Sequence, residues 1–177
     1  MNIPSIDRSS ASKDAPHISP TFDVQRDDLL QGVRAFEVKN IVTGNGFTTE
    51  VFRPDWGVAT LPIQHVIHVS LHGGVVSAWH MHRLQTDHVF VVSGTLRVVL
   101  SDGREDSTTH GEVNVFNVSS VRPTLLVIPP GVWHGVKNLS SGMTNFVNYF
   151  DRPYNYEDPD EWRLPRDSAE IPYSFEA

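Results

Sequence analysis

The chain of 177 residues carries a formal net charge of −7, 39% hydrophobic residues, four tryptophans and no cysteine. Its length fits one domain with a proper core, and its acidic balance argues against nucleic acid or an anionic membrane surface as a partner. Without cysteine there are no disulfides or thiolate metal sites, so histidine and carboxylate must hold any metal.

Residues 1–20 are rich in serine, proline and charge and are expected to form a mobile arm, since few apolar groups offset the ordering entropy. The same stretch lacks an apolar signal core, and no run approaches the roughly 18 apolar residues of a membrane span, which predicts a cytoplasmic protein. Asp27 to Gln31 suits a short helical turn. Strand-like segments then dominate: Ala35 to Val42, Phe47 to Phe52, Gln64 to Leu71, Val75 to His82, His88 to Ser93 and Thr95 to Leu100. Glycine and proline turns punctuate them. Arg104 to Arg122 reads as a polar insertion holding a small strand, Glu112 to Asn117. Leu125 to Ile128, Val132 to Asn138 and Thr144 to Phe150 complete the strand set. Nothing sustains a helical apolar period, and many short strands predict an all-β sandwich or barrel with a few short helical turns. From Asp151 onwards the chain turns to proline, acid and aromatic residues, so this tail is expected to pack across the barrel or over its mouth.

The chemistry-bearing residues sit in two stretches. Gly74 to Gly94 reads G-x5-H-x-H-x4-D-x6-G, with His80, His82 and Asp87 as the polar members; Pro129 to Asn138 reads P-x-G-x2-H-x3-N around His134. Alternate residues of a strand share a face, so His80 and His82 are expected to point inwards together. A lone buried histidine is usually a hydrogen-bonded core residue, but several donors gathered at this spacing indicate a site. His17 and His110 read as solvated, His72 as a turn residue, and His88 as facing away from Asp87. His65 and His68 differ in parity, so at most one of them faces inwards.

This spacing resembles the two motifs of the cupin superfamily, which implies a double-stranded β-helix, or jelly roll, over residues 21–177. It also implies one divalent ion (Fe, Mn, Ni, Cu or Zn) held by His80, His82, Asp87 and His134. Asp87 stands where cupins commonly have glutamate, and Pro123 where the second motif opens with glycine.

A narrower resemblance, covering roughly Val33 to Pro165, is to the dTDP-4-dehydrorhamnose 3,5-epimerases. Glu37-Val38-Lys39 and Asn45-Gly46-Phe47-Thr48-Thr49-Glu50 sit where that family has E-x-K and R-G-F-F-x-E. His68 stands where many members have a histidine. Gly74 to His80 matches G-V-L-R-G-L-H, Pro129 to Gly135 matches P-P-G-F-A-H-G, and Asp151 and Asp158-Pro159 match the later aspartate and D-P segments. The resemblance implies proton abstraction beside the ketone of a nucleotide-linked sugar, with His80 as base, Asp158 as its carboxylate partner and no metal needed. It also implies substrate contacts from Asn45, Phe47, Glu50, His68, Ser77 and His134, and a homodimer. Departures accompany it. The family's two arginines are Asn45 and Ser77, its lysine is Asp87, and its tyrosine is Val147, with Tyr149 two residues on as a substitute proton donor. Where lysine is lost, His82 and Asp87 appear, so a metal ion offers an alternative support for an enolate. Arg83, Arg97, Arg122 and Lys137 are candidate diphosphate contacts that read more simply as surface charges. The expected function is sugar epimerisation or keto-isomerisation; the alternatives are a metal-dependent cupin oxygenase and a sugar-binding cupin without activity.

Overall fold

The computed structural model describes residues 18–20, 26, 28–59 and 61–176. Twelve strands follow in order: β1 Arg34–Glu37, β2 Asn40–Thr43, β3 Gly46–Thr49, β4 His65–Leu71, β5 Val76–Met81, β6 Asp87–Ser93, β7 Thr95–Asp102, β8 Val113–Ser119, β9 Thr124–Ile128, β10 Val132–Asn138, β11 Thr144–Phe150 and β12 Trp162–Arg163. They build two five-stranded sheets, ordered β1-β9-β6-β11-β4 and β12-β5-β10-β7-β8, with β2 and β3 forming a separate hairpin. Every pairing is antiparallel. The two sheets face one another as the predicted cupin jelly roll.

The core lies where β6 and β9 of the first sheet meet β7 and β8 of the second. Val89, Val91, Leu126 and Ile128 pack there against Leu96, Val98, Leu100, Phe116 and Val118. These strands are dense in β-branched and large apolar residues, as a surface buried between two sheets requires. The turn between β6 and β7 depends on Gly94, whose φ of 82° suits glycine and whose added Cβ would stand 2.3 Å from Thr144 Oγ1. Two smaller clusters cover the outer faces. Val38, Val58, Phe90, Leu125 and Val127 collect Phe52, Val147 and Tyr149 on the first sheet; Trp79 and Val99 are covered by Ile171 and Phe175 of the tail on the second.

Several expectations are adjusted by this arrangement. The Ala35 to Val42 run breaks between β1 and β2, where Val38 N–H turns to the Pro123 carbonyl at 3.0 Å. The small strand in the insertion is a full seven-residue edge strand, β8. Asp28 to Leu30 are not helical, and Asp27 lies outside the described residues; the short helical turn falls instead at Pro54–Trp56, where proline opens a 3-10 turn. Almost all of the expected 1–20 arm lies outside the described residues. No helix among the described residues is long and apolar enough to cross a membrane.

Candidate functional site

Towards the β4, β11, β5 and β10 end the two sheets do not fill the space between them and leave a cavity of about 640 Å³. Register explains what lines it. Across the first sheet His65 pairs with Phe150, Phe150 with Asp87, and Asp87 with Ile128. Across the second, Arg163 pairs with His80, His80 with His134, and His134 with Leu100. The rows face each other, because Asp87 Oδ2 lies 3.5 Å from His134 Nε2. Close approach of the strands around His134 relies on Gly135, where a Cβ would come within 2.6 Å of the Ala78 methyl. The tail closes the rim: Tyr154, Asp158, Asp160 and Glu161 all line the cavity.

His80 has both ring nitrogens engaged. Nδ1 lies 3.1 Å from Glu161 Oε1 and Nε2 lies 3.2 Å from Ser77 Oγ. A carboxylate at Nδ1 favours the proton there and leaves the Nε2 lone pair available as a base, facing the Ser77 hydroxyl. Burial pushes the His80 imidazole below its ordinary value, against the opposing pull of Glu161. The neutral ring a base needs is therefore favoured.

A second group stands beside it. Donor atoms of His82, Asp87 and His134 lie within 4.8 Å of one another. His82 Nδ1 donates to the Asp160 carbonyl, and His134 Nδ1 donates to the Val132 carbonyl at 3.1 Å. Both Nε2 lone pairs are thereby turned towards Asp87 Oδ2, at 3.7 and 3.5 Å. Asp87 itself is only 2% exposed; its Oδ1 accepts from Gln85 Nε2 at 2.9 Å and its Oδ2 from Asn148 Nδ2 at 2.8 Å. Burial holds His134 below its ordinary value, with Asp87 acting in the opposite sense. Two imidazole lone pairs and a buried carboxylate converging on one point could hold a cation between them, and their outer nitrogens are engaged as in histidine metal sites. This donor set fits a divalent metal ion.

The structure redistributes the candidate residues. Ser77, His80, His82, Asp87, His134 and Asp158 all line the cavity. His80, however, is not among the three clustered donors, so the four-ligand set contracts to His82, Asp87 and His134. The carboxylate on His80 is Glu161 and not Asp158. Tyr149 is turned away: Phe146, Asn148 and Phe150 take the inward positions of β11, while Tyr149 stacks on Phe52 in the outer cluster, ring centroids 6.0 Å apart. Val147 shares that outer face, so neither replaces the family tyrosine. His68 pairs with Val147 and is absent from the lining, whereas His65 is present. Asn45, Phe47 and Glu50 lie on or beside the β2–β3 hairpin, away from the cavity; Asn45 accepts from Thr43 and Glu50 pairs with Arg53. Arg83, Arg97, Arg122 and Lys137 do not line the cavity either, and its single cation among the described residues is Arg152. Glu161, Gln85 and Asn148 were not singled out by the sequence, and His65 was named only as one of two β4 histidines of opposite parity. Asn148 left a trace there, as a polar residue in phase with Phe146 and Phe150 on an apolar strand face.

Known proteins resemble the chain in sequence and fold. A probable low-salt glycan biosynthesis epimerase of Haloferax volcanii is 38% identical over 123 residues, 69% of this chain and 79% of the relative. A spore coat polysaccharide biosynthesis protein of Bacillus subtilis is 33% identical over 150 residues, 83% of this chain and 97% of that protein. Among solved structures, a dTDP sugar isomerase from Desulfovibrio desulfuricans superposes with a TM-score of 0.77 at 29% identity, covering 82% of this chain and 93% of that one. The family model for dTDP-4-dehydrorhamnose 3,5-epimerase matches residues 28–175, and the chain belongs to that family.

Proposed function

We propose that the protein is a sugar epimerase or keto-isomerase that removes a proton next to a carbonyl of a nucleotide-linked sugar, with His80 as the base. The observation that carries this reading is His80 in the cavity wall, its Nδ1 held by Glu161 at 3.1 Å and its Nε2 beside Ser77. A base so oriented takes the proton at a fixed angle, and its lowered affinity for protons keeps it neutral near pH 7. Enolate charge develops on the ketone oxygen as the proton leaves. A divalent ion held by His82, Asp87 and His134 would supply Lewis-acid support for that charge, where the family uses a lysine that is Asp87 here. Ser77 and His134 line the sugar pocket in this reading, and Asp158 contributes at its rim.

Work in the cytoplasm as a homodimer belongs to the same proposal. The hairpin residues Asn45, Phe47 and Glu50 are assigned to substrate recognition only in such an assembly, since within one chain they lie outside the cavity. Support for association comes from β4, which among the described residues ends its sheet as an unpaired edge with Val66 exposed.

Incubation with nucleotide-linked 4-keto-6-deoxyhexoses in deuterium oxide, with and without chelator, tests the reading. Deuterium is expected at a carbon adjacent to the ketone, and His80→Asn is expected to slow its entry by about 100-fold or more. A folded protein that introduces no deuterium under either condition refutes it. The pair of histidines with one carboxylate also favours a second reading, a metal-dependent oxygenase. Stoichiometric iron in protein purified without chelator, together with oxygen uptake on substrate addition, would support that alternative.

A further inference from the structure

We propose that His65 is the acid that returns a proton to the substrate carbon from the face opposite His80, the role that Val147 and Tyr149 leave empty; the proposal rests on the epimerase reading above. Inversion at a carbon requires a base on one side and a proton donor on the other. His80 belongs to the wall formed by β5 and β10, so the donor must come from the wall formed by β4, β11 and β6. Most of that wall cannot give a proton, because Ile67, Val69, Val89, Phe146 and Phe150 are apolar. Its polar groups are mostly committed. Asn148 Nδ2 and Gln85 Nε2 donate to Asp87, and Gln64 Nε2 donates to the Asp151 carbonyl at 2.9 Å.

His65 is different. It begins β4, lines the cavity and packs its ring on Phe150, with centroids 5.3 Å apart. Among the described residues no hydrogen-bond partner engages its ring nitrogens. The register rows give its position. With Asp87 set against His134, the next pair outwards is Phe150 and His80, and the one beyond places His65 on the side of Arg163. His65 is therefore one strand further out than His80 and on the facing sheet, so the two imidazoles line the cavity from opposite walls.

The proton balance is simple. His80 Nε2 takes the proton of the carbon beside the ketone; the C–H electron pair becomes the carbon–carbon double bond and the carbonyl pair moves to oxygen. His65, as imidazolium, then gives its N–H proton to the opposite face of the same carbon, the new C–H bond forms and the ketone returns. His80 ends protonated and His65 neutral, and exchange with water resets both. Tyr154 at the rim, T-shaped against Tyr156 and 41% exposed, is the one phenol among the described residues that line the cavity.

The test separates exchange from inversion. The full chain, His65→Gln, Tyr154→Phe and His80→Asn are incubated with a dTDP-linked 4-keto-6-deoxyhexose in deuterium oxide, and proton NMR follows deuterium entry and the configuration of the product. His65→Gln is expected to keep deuterium entry within about threefold of the parent while inverted product falls by about 100-fold or more; His80→Asn is expected to lose both. His65→Asn carries the same comparison if the glutamine variant does not fold by circular dichroism. Inversion by His65→Gln at the parent rate would overturn the proposal. So would equal loss of exchange and inversion in a folded variant, or the split phenotype appearing in Tyr154→Phe instead. Absence of both exchange and inversion in the parent would overturn the epimerase reading itself, and this proposal with it, before any variant is compared.

Discussion

In the proposed mechanism a single carboxylate sets how His80 works. Glu161 sits 3.1 Å from Nδ1 and raises the proton affinity that burial lowers. Removing it by Glu161→Gln should move the acid limb of kcat/KM further down in pH, while the rate at its plateau falls by about 10-fold to 100-fold through lost orientation. In the parent protein the rate should decline as pH drops through a value below the ordinary histidine figure of about 6.5, because only the neutral ring accepts a proton. A pH–rate profile of both proteins checks the direction. Asn148 plays the corresponding part for Asp87, donating to the oxygen that faces both imidazoles. Asn148→Ala is expected to weaken binding of zinc or cobalt by about 10-fold to 100-fold, measured by calorimetry. The sequence signalled the two histidines and Asp87 but not this division of labour. Alternation holds only inside a strand, and β5 ends at Met81, so His82 escapes the strand geometry that holds His80 and swings to Asp87. The partner of His80 comes from an irregular tail with no period to read, where Asp158 and Glu161 are equally plausible on spacing alone.

The strands themselves were legible. Most of their bounds follow from runs of β-branched and aromatic residues set between glycine and proline turns. Which face of each strand looks inwards was less so. On β11 both phases are apolar, Phe146 and Phe150 on one side and Val147 and Tyr149 on the other, so hydrophobicity alone does not choose between them. The same holds for His65 and His68 on β4, whose opposite parity was plain while their direction was not. Other motif residues turn out to fasten elements together. Asn138 Nδ2 donates to the carbonyls of Leu71, His72 and Gly142, and its Oδ1 accepts from Ser140 and Thr144. Asn138→Ala leaves several of these buried groups without partners and should cost about 2–4 kcal/mol in urea denaturation. Asp102, at the end of β7, is a second fastener. Burial opposes its ionisation, but hydrogen bonds from Arg104, Ser107 and Thr109 outweigh that and hold the carboxyl well below the usual carboxylate range. A folded value depressed below the unfolded one means stability present at neutral pH and lost as pH falls below about 4. Asp102→Asn should lower the melting temperature at pH 7 and flatten its decline between about pH 4 and pH 2.

For the molecule as a whole, the site is an agreement between distant parts of the chain. Each proposed dimer partner weighs 19.8 kDa, and light scattering behind size exclusion should read twice that mass. Charging the edge by Val66→Lys should shift the reading towards one chain without unfolding it. The tail has the further reach. Glu161 binds His80 across 81 positions of sequence and the Asp160 carbonyl binds His82 across 78, while β12 pairs with β5 beside them. Without residues 158 to 163 the two neighbouring imidazoles would lack the carboxylate and the carbonyl that orient them. The chemistry proposed for the two imidazoles is complete only when this stretch lies down along β5. A chain interrupted before Asp158 would present the right residues in the right strands and remain silent.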